Sequence, residues 1–220
     1  MIEKVYYISI YRSIQNMSNT EQIFNIIRKN KQGWAFSATD FMREFSRAET
    51  DLSLSRLTET GDIRRVIRGI YDYPMYSSLL GRRTAPDIHQ IARALARKFN
   101  WNIYPDGDTA LNYLGLSTQI VAKIIYLSDG PSKKYDIDGT ILEFKHISKK
   151  EVIQDSENTM LVIQAIKAMG DKQITDEFIE NLSKKFNTQE WQKIANDSSY
   201  TTTWIYDVIK KARTIAEEKQ

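Results

Sequence analysis

Asp136 and Asp138, one residue apart and followed by Gly139 and Thr140, are the side chains whose types and spacing come nearest to covalent chemistry. A carboxylate that takes up a phosphoryl group is one use of such an aspartate. That nucleophile would have to sit at the end of a buried parallel strand, behind a run of apolar residues. Asp129-Gly-Pro-Ser-Lys-Lys-Tyr135 precedes it instead, a polar and turn-forming stretch. Alternation through Tyr135, Ile137 and Ile141 around Asp138-Gly139 predicts a hairpin closed by a tight turn.

The Asp136-Ile-Asp138-Gly-Thr140 string resembles the signature of haloacid-dehalogenase-type phosphatases, but its context fits the turn. Other chemistry is thin. No phosphate-binding Gly-x-x-x-x-Gly-Lys loop, Gly-x-Gly-x-x-Gly turn or Gly-x-Ser-x-Gly elbow occurs. His89 and His146 stand apart from each other and from other metal donors, and the absence of cysteine removes thiolate sites and disulfides. The expectation is a protein that is not an enzyme and uses no metal or cofactor.

Charge gives the better lead. The 220 residues carry a net charge of only +3, which permits a nucleic-acid partner without requiring one. Between Ile63 and Arg83, however, Arg64, Arg65, Arg68, Arg82 and Arg83 face one acid, Asp72. The most apolar N-terminal run, Val5 to Tyr11, is far shorter than the ~18 residues of a membrane span. A cytoplasmic protein is the expectation.

The elements around that basic stretch follow from local signals. Ser18-Asn-Thr-Glu21, Ser37-Ala-Thr-Asp40 and Ser46-Arg-Ala-Glu49 each place a capping hydroxyl three residues before an acid, the signature of a helix start. The first helix runs to about Arg28 with Ile23 and Ile27 inside. The second buries Ala38, Phe41, Met42 and Phe45, and the third ends at Gly61. β-Branched residues flanking Arg68-Gly69 then predict a hairpin stopped by Pro74. Three helices and a basic hairpin are the order of a winged helix-turn-helix.

Residues 77–86 read as a connector, so 1–76 form the first domain and 87–220 the second. The second opens with an amphipathic helix carrying Ile88, Ile91, Leu95 and Phe99, continues with strands near Trp101–Tyr104, Val121–Leu127 and Tyr135–His146 and a helix capped by Asp108, and is helical from Glu157. The predicted fold class is α+β: an N-terminal winged helix-turn-helix, then a mixed α/β and finally all-helical C-terminal domain.

Within the third helix, Leu54 and Leu57 pin the core side together with Thr50 and Ser53. Arg47, Ala48, Asp51, Leu52 and Ser55 are left outward. On duplex DNA, Arg47 suits guanine, Asp51 suits cytosine N4, Leu52 a thymine methyl, and Ser55 any base. Arg56, Arg64, Arg65 and Arg68 suit phosphates, with Gly69 letting the hairpin tip come close to the backbone.

Ser46-Arg47, Leu54-Ser-Arg-Leu57, Gly61, Ile63-Arg-Arg-Val66 and Arg68-Gly69-Ile-Tyr71-Asp-Tyr-Pro74 together resemble the N-terminal region of AbiEi-type antitoxins, regulators of type IV toxin–antitoxin modules in phage defence by abortive infection. Downstream, Pro105-Asp-Gly107, Leu114-Gly-Leu-Ser-Thr-Gln119, Lys123-Ile-Ile-Tyr-Leu-Ser-Asp-Gly130 and Ile141 to His146 are similar to the segment that follows, so the resemblance spans about residues 15 to 215. It implies a repressor of its own promoter, acting on repeated half-sites of double-stranded DNA. It also implies an antitoxin that counteracts a nucleotidyltransferase-like toxin without a stable complex. The acidic Ala48-Glu49-Thr50-Asp51-Leu52 departs from that family's pattern. The competing reading is a protein-binding adaptor in which the three-helix unit docks a partner.

Overall fold

A computed structural model of the chain describes residues 17–119, 122–148 and 156–218. The Val5–Tyr11 run and Val121 lie outside them. The architecture is mixed α/β, with eight α-helices and three small sheets among the described residues. It divides between Trp101 and Asn102 into two compact units.

The first unit begins with α1 (Asn19–Lys29), opened by the predicted box: Ser18 Oγ accepts the Glu21 N–H while the Glu21 carboxylate accepts the Ser18 N–H at 2.8 Å. Strand β1 (Ala35–Phe36) and a single 3₁₀ turn (Ala38–Phe41) follow, then α2 (Arg47–Glu59), whose box pairs Ser46 with Glu49. Gly61, at φ +77°, takes the chain out of α2. Strands β2 (Arg64–Ile67) and β3 (Ile70–Asp72) form the predicted hairpin, and β1 pairs antiparallel with β3 to give the order β1-β3-β2. Ile23, Ile27, Phe36, Phe41, Leu54, Leu57 and Ile63 fuse these elements into one core.

Three expectations change here. Met42 is half exposed rather than inside, because a four-residue 3₁₀ turn presents one short face and Phe41 takes it. The segment after the hairpin holds a small second ribbon, β4 (Tyr76–Ser77) with β5 (Arg82–Arg83). The helix expected to open the second domain, α3 (Ile88–Phe99), closes the first instead. The reason is specific: Arg97 Nε lies 2.6 Å from Asp40 Oδ1, its Nη2 donates to the Ala35 carbonyl at 2.8 Å, and its guanidinium covers the Trp34 ring. One side chain thus ties the helix to the 3₁₀ turn and to β1.

The second unit contains a four-stranded sheet in the order β6-β7-β9-β8, with β6 (Ile103–Pro105), β7 (Lys123–Ser128), β8 (Lys133–Ile137) and β9 (Thr140–His146). β7 and β9 run parallel and the outer pairs antiparallel. Helix α4 (Gly107–Tyr113) is N-capped at Asp106, leaving Asp108 in its first turn rather than at the cap. Helices α5 (Glu157–Met169), α6 (Asp176–Ser183), α7 (Thr188–Asp197) and α8 (Thr203–Glu218) complete the unit. Its core gathers around Trp191, which is fully buried and donates its indole N–H to the Ser183 carbonyl at 2.9 Å. No described helix is long and apolar enough to cross a membrane.

Candidate functional site

The Asp136–Thr140 string is a turn. Asp138 and Gly139 have φ +50° and +87°, the two consecutive left-handed residues of a tight hairpin, and Asp136 Oδ1 accepts the Gly139 N–H at 2.9 Å. Asp136 lies on β8, which among the described residues pairs antiparallel with β9 alone, so it does not stand at the mouth of a parallel strand. Among the described residues no group of three histidine, cysteine, aspartate or glutamate side chains could hold a metal ion. Burial, the larger cause, and the Arg93 charge lower the pKa of His89, while Asp87 opposes them.

The N-terminal unit carries the more informative arrangement. Helix α2 buries Thr50, Ser53, Leu54 and Leu57 and turns Arg47, Ala48, Asp51, Leu52, Ser55 and Arg56 to solvent, the division predicted from spacing. The outward side chains are not independent. Arg47 Nε donates to Asp51 Oδ2 at 2.7 Å, one helical turn along, and Ser55 Oγ donates to Glu59 at 3.1 Å. Leu52 is 53% exposed, an apolar side chain on the outward face of the helix.

The hairpin separates its three arginines. Arg64 faces Asp72 across the β2–β3 pair and binds it through two bonds, Nε to Oδ1 at 3.0 Å and Nη2 to Oδ2 at 2.5 Å. Its remaining Nη1 donates to the Thr84 carbonyl at 3.0 Å. Because Asp72 is buried, this fork is a structural lock joining both strands to the chain that follows, and Arg64 is not available as the phosphate contact expected of it. Arg65 and Arg68 point outward, and no carboxylate of a described residue pairs with either.

Arg65, Arg68, Gly69 and Tyr71 of the hairpin, Arg47 and Asp51 of α2, and Lys98 of α3 line one pocket of about 240 Å³, floored by the start of the 3₁₀ turn. Lys98 is absent from the sequence-derived set, because its helix reads as part of another domain. The signal that could have found it is the pair Arg97-Lys98: Arg97 is anchored at Asp40, which carries its neighbour to the hairpin tip.

The molecule is therefore a two-unit α/β protein whose N-terminal unit presents a cationic pocket beside an exposed helix face. The chain belongs to the family of unknown function DUF6088, whose profile matches residues 22–194. No curated protein matches it.

Proposed function

We propose that the protein is a DNA-binding transcriptional repressor and the antitoxin of a type IV module of the AbiEi kind, cytoplasmic and non-enzymatic. The order α1, β1, 3₁₀ turn, α2, β2, β3 resembles that of a winged helix-turn-helix, with the 3₁₀ turn in the place of its second helix. In this reading α2 enters the major groove and the β2–β3 hairpin is the wing. The observation that carries it is the pair Arg65 and Arg68: exposed, without a carboxylate partner among the described residues, and beside the outward face of α2. Phosphate contacts of this kind position a protein on duplex DNA without reading sequence.

A mobility-shift titration of the full chain on its own upstream DNA tests this. Arg65→Ala with Arg68→Ala should weaken binding to every duplex alike and flatten the dependence of log K on log salt by roughly one unit for each arginine removed. An unchanged slope overturns the assignment. The antitoxin half extends the resemblance to the C-terminal unit. Co-expression with the neighbouring nucleotidyltransferase-like toxin should restore growth, and continued arrest removes that half.

One observation favours the adaptor reading. Leu79 and Leu80, on the loop of the β4–β5 ribbon, are 93% and 58% exposed, as a protein-docking tip would be. An adaptor would show no preference for its own upstream DNA over random duplex.

A further inference from the structure

We infer that the pocket between the β2–β3 hairpin, α2 and α3 is a seat for one phosphate group, its charge partly neutralised in the free protein by Asp51 acting as an internal counter-anion. Only the source of that phosphate, the DNA backbone, rests on the function proposed above.

Composition and size define the ligand. Four cations, Arg47, Arg65, Arg68 and Lys98, line the pocket against one carboxylate, Asp51. They come from three separate elements, so the cluster is a product of tertiary packing rather than of a basic run. At about 240 Å³ the pocket is smaller than the roughly 300–1,000 Å³ of sites that enclose a whole small molecule. It admits a charged group and leaves the remainder of its bearer outside. Guanidinium forks and an ammonium are the donors that match phosphoryl oxygens.

The backbone is shaped for this convergence. Lys98 Nζ comes within 3.5 Å of the Arg68 carbonyl, and a Cβ on residue 69 would stand 2.7 Å from that nitrogen. Gly69, at φ +74°, thus serves twice, taking the left-handed conformation of the turn and leaving room for the ammonium. Arg97 fixes the approach from the other side, because its bonds to Asp40 and to the Ala35 carbonyl hold the last turn of α3 in place.

Asp51 then has a role different from base reading. Its carboxylate holds Arg47 at 2.7 Å, and both side chains are more than half exposed, so the pair opens without burying a charge. A phosphate entering the seat competes with Asp51 for Arg47. The two assignments predict opposite signs. If Asp51 reads cytosine, Asp51→Asn weakens binding to the cognate sequence; if it is the counter-anion, Asp51→Asn strengthens binding of any phosphate.

The test is a titration of inorganic phosphate into the ¹⁵N-labelled full chain at low chloride, followed at the Gly69 amide and at the side-chain Nε–H of Arg47, Arg65 and Arg68. Saturable shifts confined to these groups are expected. Affinity should fall about tenfold in Lys98→Met, which keeps the aliphatic stem but removes one charge-assisted hydrogen bond to the ligand. It should rise about tenfold in Asp51→Asn, which frees Arg47 to make one. Amide positions away from the pocket, unchanged in both variants, establish that they fold.

A random-sequence duplex and a deoxynucleoside monophosphate then distinguish the sources. Displacement of phosphate by the duplex assigns the seat to the DNA backbone. Tight mononucleotide binding that duplex does not disturb supports the seat while removing the regulator reading. Phosphate shifts that never saturate, or an Asp51→Asn protein that binds phosphate no more tightly, overturn the seat. The regulator reading survives that result if the salt slope still answers to Arg65 and Arg68.

Discussion

Two hairpins of this chain look alike in outline and differ in what they do with charge. The β2–β3 hairpin turns at Arg68-Gly69 and the β8–β9 hairpin at Asp138-Gly139. Both sheets are rich in cations. In the second, Glu143 on β9 lies between Lys123 of β7 and Lys134 of β8, and Lys145 reaches Asp106 at 3.0 Å, so the positive side chains are matched locally. In the first, the one acid of the hairpin is spent on Arg64, and Arg65 and Arg68 project without one. Counting basic residues along a chain therefore overstates the field of the second sheet more than that of the first. What a ligand meets is the charge left after internal pairing.

The largest expected effect comes from breaking the lock of the first hairpin. Asp72→Ala leaves Arg64, whose side chain is only 27% exposed, without its carboxylate, at a cost of about 3 kcal/mol in unfolding free energy. Glu143→Gln should cost less than about 1 kcal/mol, since Lys123 and Lys134 are 43% and 65% exposed and return to water. The hydrogen bond from Lys123 and the neighbouring lysine charges hold the Glu143 carboxyl below its usual range. Its contribution is complete above the ordinary glutamate value of about 4.3 and is lost as pH falls through the lowered one. Urea denaturation of both variants, with Glu143→Gln repeated across that acid range, checks the contrast. Equal destabilisation by the two would erase the distinction drawn between them.

How far these arrangements are legible in the sequence depends on the distance over which each is decided. The boxes at Ser18, Ser37 and Ser46 span three residues each, and the Arg68-Gly69 turn is as local; all are readable. Strand β1 has two residues, too few for any period, and its pairing is extended by the Tyr73 N–H, which donates to the Trp34 carbonyl at 2.9 Å. Helix α3 is evident from its apolar face, but its membership of the first unit is settled by a partner 57 positions away, Asp40. The outward set on α2 follows from helical spacing, whereas the pairing of Arg47 with Asp51 and the placement of Lys98 need the fold. Arg64 and Arg65 are indistinguishable by type, and strand alternation with Asp72 opposite separates them.

The smallest effects are the most discriminating, because they come from the two glycines that make the hairpins comparable. Gly69→Ala and Gly139→Ala each place a side chain on a left-handed residue, costing about 1–2 kcal/mol. Around Gly139 a new methyl meets nothing within 4 Å, so the loss should end there. At Gly69 the methyl collides with Lys98 Nζ, the far end of a flexible side chain that swings aside at small further cost, giving up its contact with the Arg68 carbonyl. The two variants should therefore lose similar stability in thermal denaturation. Only Gly69→Ala should weaken phosphate or DNA binding, by displacing one cation of the pocket. Matching losses of binding in both would mean that general loosening of the fold, and not the position of Lys98, governs the interaction.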